Sequence, residues 1–188
     1  MSRKPSSSLP PYIKFPLIAV GIMLLVKLTY FNLGVDIQVA SNHQIFIHMA
    51  LIILSIFFTL QVMDQQPDRP DSFIDDAKDG FKAGAMYAVL ATLLVVIYYN
   101  FIDTAFFPEM QERIYQDQIG DESDLTEEEK REKIESFFNV SNWTLATMTG
   151  YLALAIVYSL LMALFMKVLR RVRHTRPNQD APSNDLPN

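Results

Sequence analysis

The chain contains no cysteine, which excludes disulfides, thiolate metal sites and thiol catalysis. Glycine is scarce, with 6 in 188 residues, and no glycine-rich phosphate loop or Gly-x-Ser-x-Gly nucleophile elbow is present. The 3 histidines include no His-Glu-x-x-His zinc pattern. His43 and His48 are five apart and fall on different sides of a helix, so they do not form a metal pair. The acidic run from Asp121 to Glu135 lacks the alternating ligand order of a calcium loop and reads as a solvated helix face. No basic stripe interleaves with aromatics, which argues against nucleic-acid binding. Internal repeats and inverted pairs of broken helices are missing as well. With no catalytic signature, the expectation is a non-enzyme without metal or cofactor.

What the chain does have is four bilayer-length apolar stretches, at about residues 15–33, 44–63, 84–102 and 144–166. A spanning helix needs ~20 mostly apolar residues at 1.5 Å rise each. The fold class read from them is all-α, an integral membrane four-helix bundle. The first stretch follows Arg3 and Lys4, as a signal peptide would, but it is too long, carries Lys27 and lacks a small-x-small cleavage site. It reads as a retained span. Within these bounds no span contains Asp or Glu, which weighs against a proton pump or carboxylate-coupled transporter.

Basic residues near span ends give an orientation. Arg3, Lys4, Lys14, Arg69, Lys78, Lys82, Lys167, Arg170, Arg171, Arg173 and Arg176 all fall on one side of a four-span layout. Only Arg113, Lys130, Arg131 and Lys133 fall on the other, scattered among acids. The expected location is the cell (inner) membrane, with both termini cytoplasmic. Residues 1–11 and 173–188, rich in Ser, Pro and polar residues, read as flexible tails. The basic C-terminal segment is a candidate contact for anionic inner-leaflet lipids.

The connections are uneven. After the turn at Gln66 to Pro70, Asp71 or Ser72 is placed to cap a helix, and Phe73, Ile74, Ala77 and Phe81 share one helical face. That helix either lies along the membrane surface or extends the third span. The third connection, 103–143, is long and acidic. Pro108 is suited to start a short amphipathic helix. Thr126 to Glu129 forms a capping-box pattern before a second, with a polar turn near 120–125 between them.

Within the spans, Lys27 and His48 are the ionisable residues, both in the half nearer the long connection. They read either as a polar site under that connection, suited to an anion, or more simply as a snorkelling lysine and a histidine bonded to a neighbouring helix. Small residues four apart allow close helix packing. Gly80, Gly84 and Ala88 supply such a face in the third span, and Ala146 and Gly150, then Ala155, Ser159 and Ala163, in the fourth. Tyr30, Phe31, Tyr98, Tyr99 and Trp143 are candidate interface anchors.

The stretch from Phe73 to Phe81, with Ala77 and Gly80 inside it, leads into an alanine-rich span. That span leaves through Tyr98-Tyr99-Asn100-Phe101-Ile102-Asp103, and the last span ends in basic residues. In these features, over roughly residues 12–172, the chain resembles the domain-of-unknown-function 4199 family of small four-span membrane proteins, found mostly in Bacteroidota. Thr104 stands where the family often has Pro. The resemblance implies a four-helix membrane fold and no established activity, so it assigns no site residues. The expectation is a membrane protein acting through its helix bundle or outer loop, as a homo-oligomer or with a membrane partner protein. The alternative is a component of a small-molecule or ion transporter or channel.

Overall fold

A computed structural model describes residues 9–67, 69, 72–117 and 125–175. These residues form six helices and no strand: α1 (Pro11–Leu33), α2 (Ile37–Asp64), α3 (Phe73–Phe101), α4 (Phe106–Asp117), α5 (Glu127–Phe137) and α6 (Val140–Thr175). Helices α1, α2, α3 and α6 are long and apolar enough to cross a membrane. Four crossings return the chain to its starting side. We call the end carrying Pro11, Asp64, Phe73 and Arg170 the terminal end, and the other the distal end.

Local chemistry sets the helix boundaries. Gly34, at φ 59°, takes the left-handed conformation that ends α1, and its N–H donates to the Phe31 carbonyl at 3.2 Å. Two residues later the Asp36 carboxylate caps α2, accepting from the Gln38 and Val39 amides at 2.9 and 3.4 Å. Helix α2 thus begins at Ile37, well before its apolar stretch. Ser72 caps α3, accepting from the Asp75 amide at 3.4 Å. The segment after that cap is continuous with the third span and makes no separate surface helix. The Thr126–Glu129 capping box is formed in both directions. Helix α4 starts at Phe106, two residues before Pro108. Helix α1 already includes Pro11, and α6 runs through Thr175, so both helices extend into the segments read as tails. Residues 1–8, 176–188 and most of the 120–125 turn lie outside the described residues.

Helix α3 is the hub of the bundle, touching α1, α2 and α6, and its contact with α6 is the most extensive. Glycine makes that approach close. A Cβ on Gly84 would stand 2.6 Å from Ala155 Cβ, and one on Gly80 3.1 Å from Ser159 Cβ. Ala88 is fully buried in the same helix. The small-residue pairing of the third and fourth spans therefore lies within one chain. Gly150 takes no part in it, because a Cβ there meets nothing within 4 Å. The apolar core is built on Met23, Ile52, Ile56, Leu60 and Tyr87, all fully buried.

Candidate functional site

Lys27 is 3% exposed. It lies on the same face of α1 as the buried Pro16, Ala19 and Met23, and that face turns its stem into the bundle rather than along the lipid. The expected snorkelling is not what the side chain does. Its Nζ donates to Gln44 Oε1 of α2 at 2.7 Å and to the Tyr99 hydroxyl of α3 at 3.0 Å. The ammonium also lies 4.9 and 4.7 Å from the Tyr98 and Tyr99 ring centroids, within cation–π range. The Tyr98 hydroxyl donates to the Lys27 carbonyl at 3.2 Å, fixing the backbone beneath the charge. Tyr98 and Tyr99, read from sequence as interface anchors, are instead buried walls of this site.

Above Lys27 a cavity of about 440 Å³ opens at the distal end. This is within the ~300–1,000 Å³ range of small-molecule sites. Its lining mixes rings with charges: Tyr98, Tyr99 and Phe106 beside Lys27, Asp103 and Glu109. Asp36 and Arg113 also reach it and pair with each other at 2.8 Å, tethering α4 to the start of α2. Asp103 has no ion-pair partner within 4 Å among the described residues. Burial and the neighbouring Glu109 charge push its carboxyl above the ordinary value, against the opposing pull of Lys27.

The cavity is roofed by α4. Phe106 and Phe107 are buried, with Phe106 4.5 Å from the Tyr99 ring and both within 6.4 Å of Trp143. Helix α5 folds back on α4: Arg131 pairs with Glu112 at 3.1 Å and stacks 3.8 Å over the Tyr115 ring, and Tyr115 donates to Glu127. Gln111 anchors the pair by donating to the Phe138 carbonyl at 2.5 Å.

His48 is buried deeper in the bundle. Its Nδ1 and the Tyr87 hydroxyl are hydrogen-bonded at 2.6 Å, and the Tyr151 ring lies 4.9 Å away. His48 is absent from the cavity lining and binds α2 to α3 and α6. His43 sits apart, against Tyr30. No group of three or more potential metal ligands occurs among the described residues.

A second polar cluster, not foreseen from sequence, occupies the terminal end. Asp76 is completely buried and receives both arms of the Arg170 guanidinium at 2.8 and 3.0 Å. Arg170 also reaches Asp64 at 2.5 Å, and Arg69 bridges Asp76 and Asp79 at 2.8 and 3.0 Å. Lys82 completes the chain of contacts on Asp79 at 2.8 Å. Helix α3 therefore does bury a carboxylate, contrary to the span bounds drawn from hydropathy. Arg170, counted among the lipid-facing cations of the C-terminal segment, points inward. The clue was Asp76 alone, which lies four and eight residues before Gly80 and Gly84 on the buried face of α3.

The fold and these sites define a multi-pass, all-helical integral membrane protein. The family described as "Protein of unknown function (DUF4199)" matches residues 14–168, and the chain belongs to it. No curated protein and no solved structure matches the chain.

Proposed function

We propose that this is a non-enzymatic, ligand-binding membrane protein whose distal cavity receives a small molecule or a lipid headgroup. The observation that carries the reading is the open cavity based on a buried ammonium. A charge placed at membrane depth is costly to keep, and it marks a functional site by default. Two of the three ammonium N–H donors are used by Gln44 and Tyr99, which leaves one for a guest. The described residues lining the cavity include no Ser, Thr, Cys or His, so binding is the reading the geometry favours over catalysis. The excess of Lys and Arg at the terminal end supports a cell-membrane location with the termini cytoplasmic and the cavity facing outward. The exposed Lys167 of the basic C-terminal segment supports contact with anionic inner-leaflet lipids.

Native mass spectrometry of protein extracted directly from its membranes tests the reading. The wild-type protein is expected to carry a co-purifying small molecule that Lys27→Met loses. Identical, empty spectra for both proteins would overturn it.

A further inference from the structure

If the distal cavity has the binding role proposed for it, the charges around it select among ligands. Asp36 and Arg113 neutralise each other at the rim. The remaining ionisable residues of opposite sign are Lys27 at the base, Asp103 just before α4 and Glu109 in the first turn of α4. A simple anion drawn to Lys27 meets two carboxylates beside it. A simple cation drawn to those carboxylates meets the ammonium. Only a guest carrying both charges satisfies both halves, since like charges brought together in a partly desolvated site are repelled strongly.

We infer that the cavity binds a zwitterion, with its phosphate or carboxylate on Lys27 and its ammonium on Asp103 and Glu109; the inference rests on the binding role of the cavity. The Tyr98 and Tyr99 rings already hold the Lys27 ammonium, so the Asp103 and Glu109 carboxylates carry the cationic end of the guest. The anionic end takes the third Lys27 donor. It forms a charge-assisted hydrogen bond in a buried setting, where such bonds are about twice as strong as neutral ones. The same chemistry is presented by the phosphoethanolamine headgroup of a membrane lipid and by water-soluble zwitterions such as amino acids. The cavity opens where the distal ends of α1 and α2 meet α4, next to the exposed Phe31, so both sources have access.

The chain supplies its own reporter. Trp143 is the sole tryptophan, and it packs on Phe106, which lines the cavity. The protein is placed in phosphatidylglycerol nanodiscs, and Trp143 emission is titrated with glycerophosphoethanolamine, alanine, glycerol 3-phosphate and ethanolamine. A saturable change is expected with at least one of the two zwitterions. Each single-charge fragment should bind at least ten-fold more weakly. Lys27→Met should weaken zwitterion binding at least ten-fold. The double variant Asp103→Asn, Glu109→Gln, altered only at partly or fully exposed positions, should bind the zwitterion no better than glycerol 3-phosphate. Tight binding of alanine identifies a soluble source. If phosphatidylethanolamine in the disc shifts the emission and blocks the soluble headgroup, the source is the lipid.

Equal affinity for glycerol 3-phosphate, or for ethanolamine, would overturn the zwitterion assignment. So would the absence of any response to all four probes and to phosphatidylethanolamine. In either case a co-purified molecule lost in Lys27→Met would leave the binding role standing, so the two failures are distinguishable.

Discussion

At the terminal end of the bundle, Asp64, Asp76 and Asp79 meet Arg69, Lys82 and Arg170, and each of the six has at least one ionic partner. At the distal end Lys27 is held by a neutral amide and a phenol, while Asp103 stands nearby without an ion pair among the described residues. Both ends remove charge from bulk water, but only the first saturates it. A saturated cluster fastens helices and has little left to offer a guest. An unsaturated one retains donors and acceptors that a ligand can complete. Buried polar networks rigidify a fold when every member is satisfied.

The comparison breaks most visibly at Asp76. Removing one partner of a buried ion pair strands the other charge, at a cost of about 3–5 kcal/mol. Asp76→Ala should lower the thermal unfolding midpoint in detergent steeply. Lys27→Met, which removes an isolated buried charge, should leave the midpoint unchanged or raise it. If the two variants proved equally harmful, the distal site would be as structural as the terminal one.

A smaller effect sharpens the role of the α3–α6 seam that joins the two ends. Gly84→Leu drives a side chain into Ala155 and should destabilise by about 1–3 kcal/mol. Gly150→Ala, in open space on the same seam partner, should be neutral or gain up to ~1 kcal/mol from helix propensity. Guanidinium unfolding followed by circular dichroism separates the two.

The smallest effect concerns the roof. Arg113 and Asp36 are about half exposed, and pairs of this kind contribute little. Arg113→Ala should leave the thermal midpoint unchanged. The hydrogen bond from Arg113, followed by that from the Gln38 amide, holds Asp36 below its ordinary value. The tether is therefore fully present above the unfolded aspartate range and is lost only as pH falls through the lowered folded value. Trp143 emission in the wild-type protein should show an acid step below the ordinary aspartate range, separate from the Asp103 step above it. In Arg113→Ala that acid step should be missing.

Much of the architecture was legible in the sequence because membrane spans and helix caps are local signals. The four apolar stretches, the Thr126 capping box and the glycine face at Gly80 and Gly84 each depend on residues a few positions apart. The polar sites were less legible because their partners are remote. Arg170 and Asp76 are 94 positions apart, and Lys27 and Tyr99 72 apart. Counting charges by side of the membrane placed Arg170 at the correct end of its helix but gave no rotation about the axis. For Lys27 the rotation was readable from its spacing after Ala19 and Met23, while the length of the side chain suggested an escape to the interface.

The Arg170–Asp76 clamp also imposes an order on biogenesis. The ribosome finishes Asp76 long before it reaches Arg170. At about 5–20 residues per second, the 94-residue interval lasts roughly 5 to 20 s. Through that interval the Asp76 carboxylate lacks its principal mate. Arg69, made just before Asp76 and bonded to it at 2.8 Å in the finished protein, is the cation already at hand. Arg69 thus gives Asp76 a cation before α6 is made, and Arg170 completes the network last.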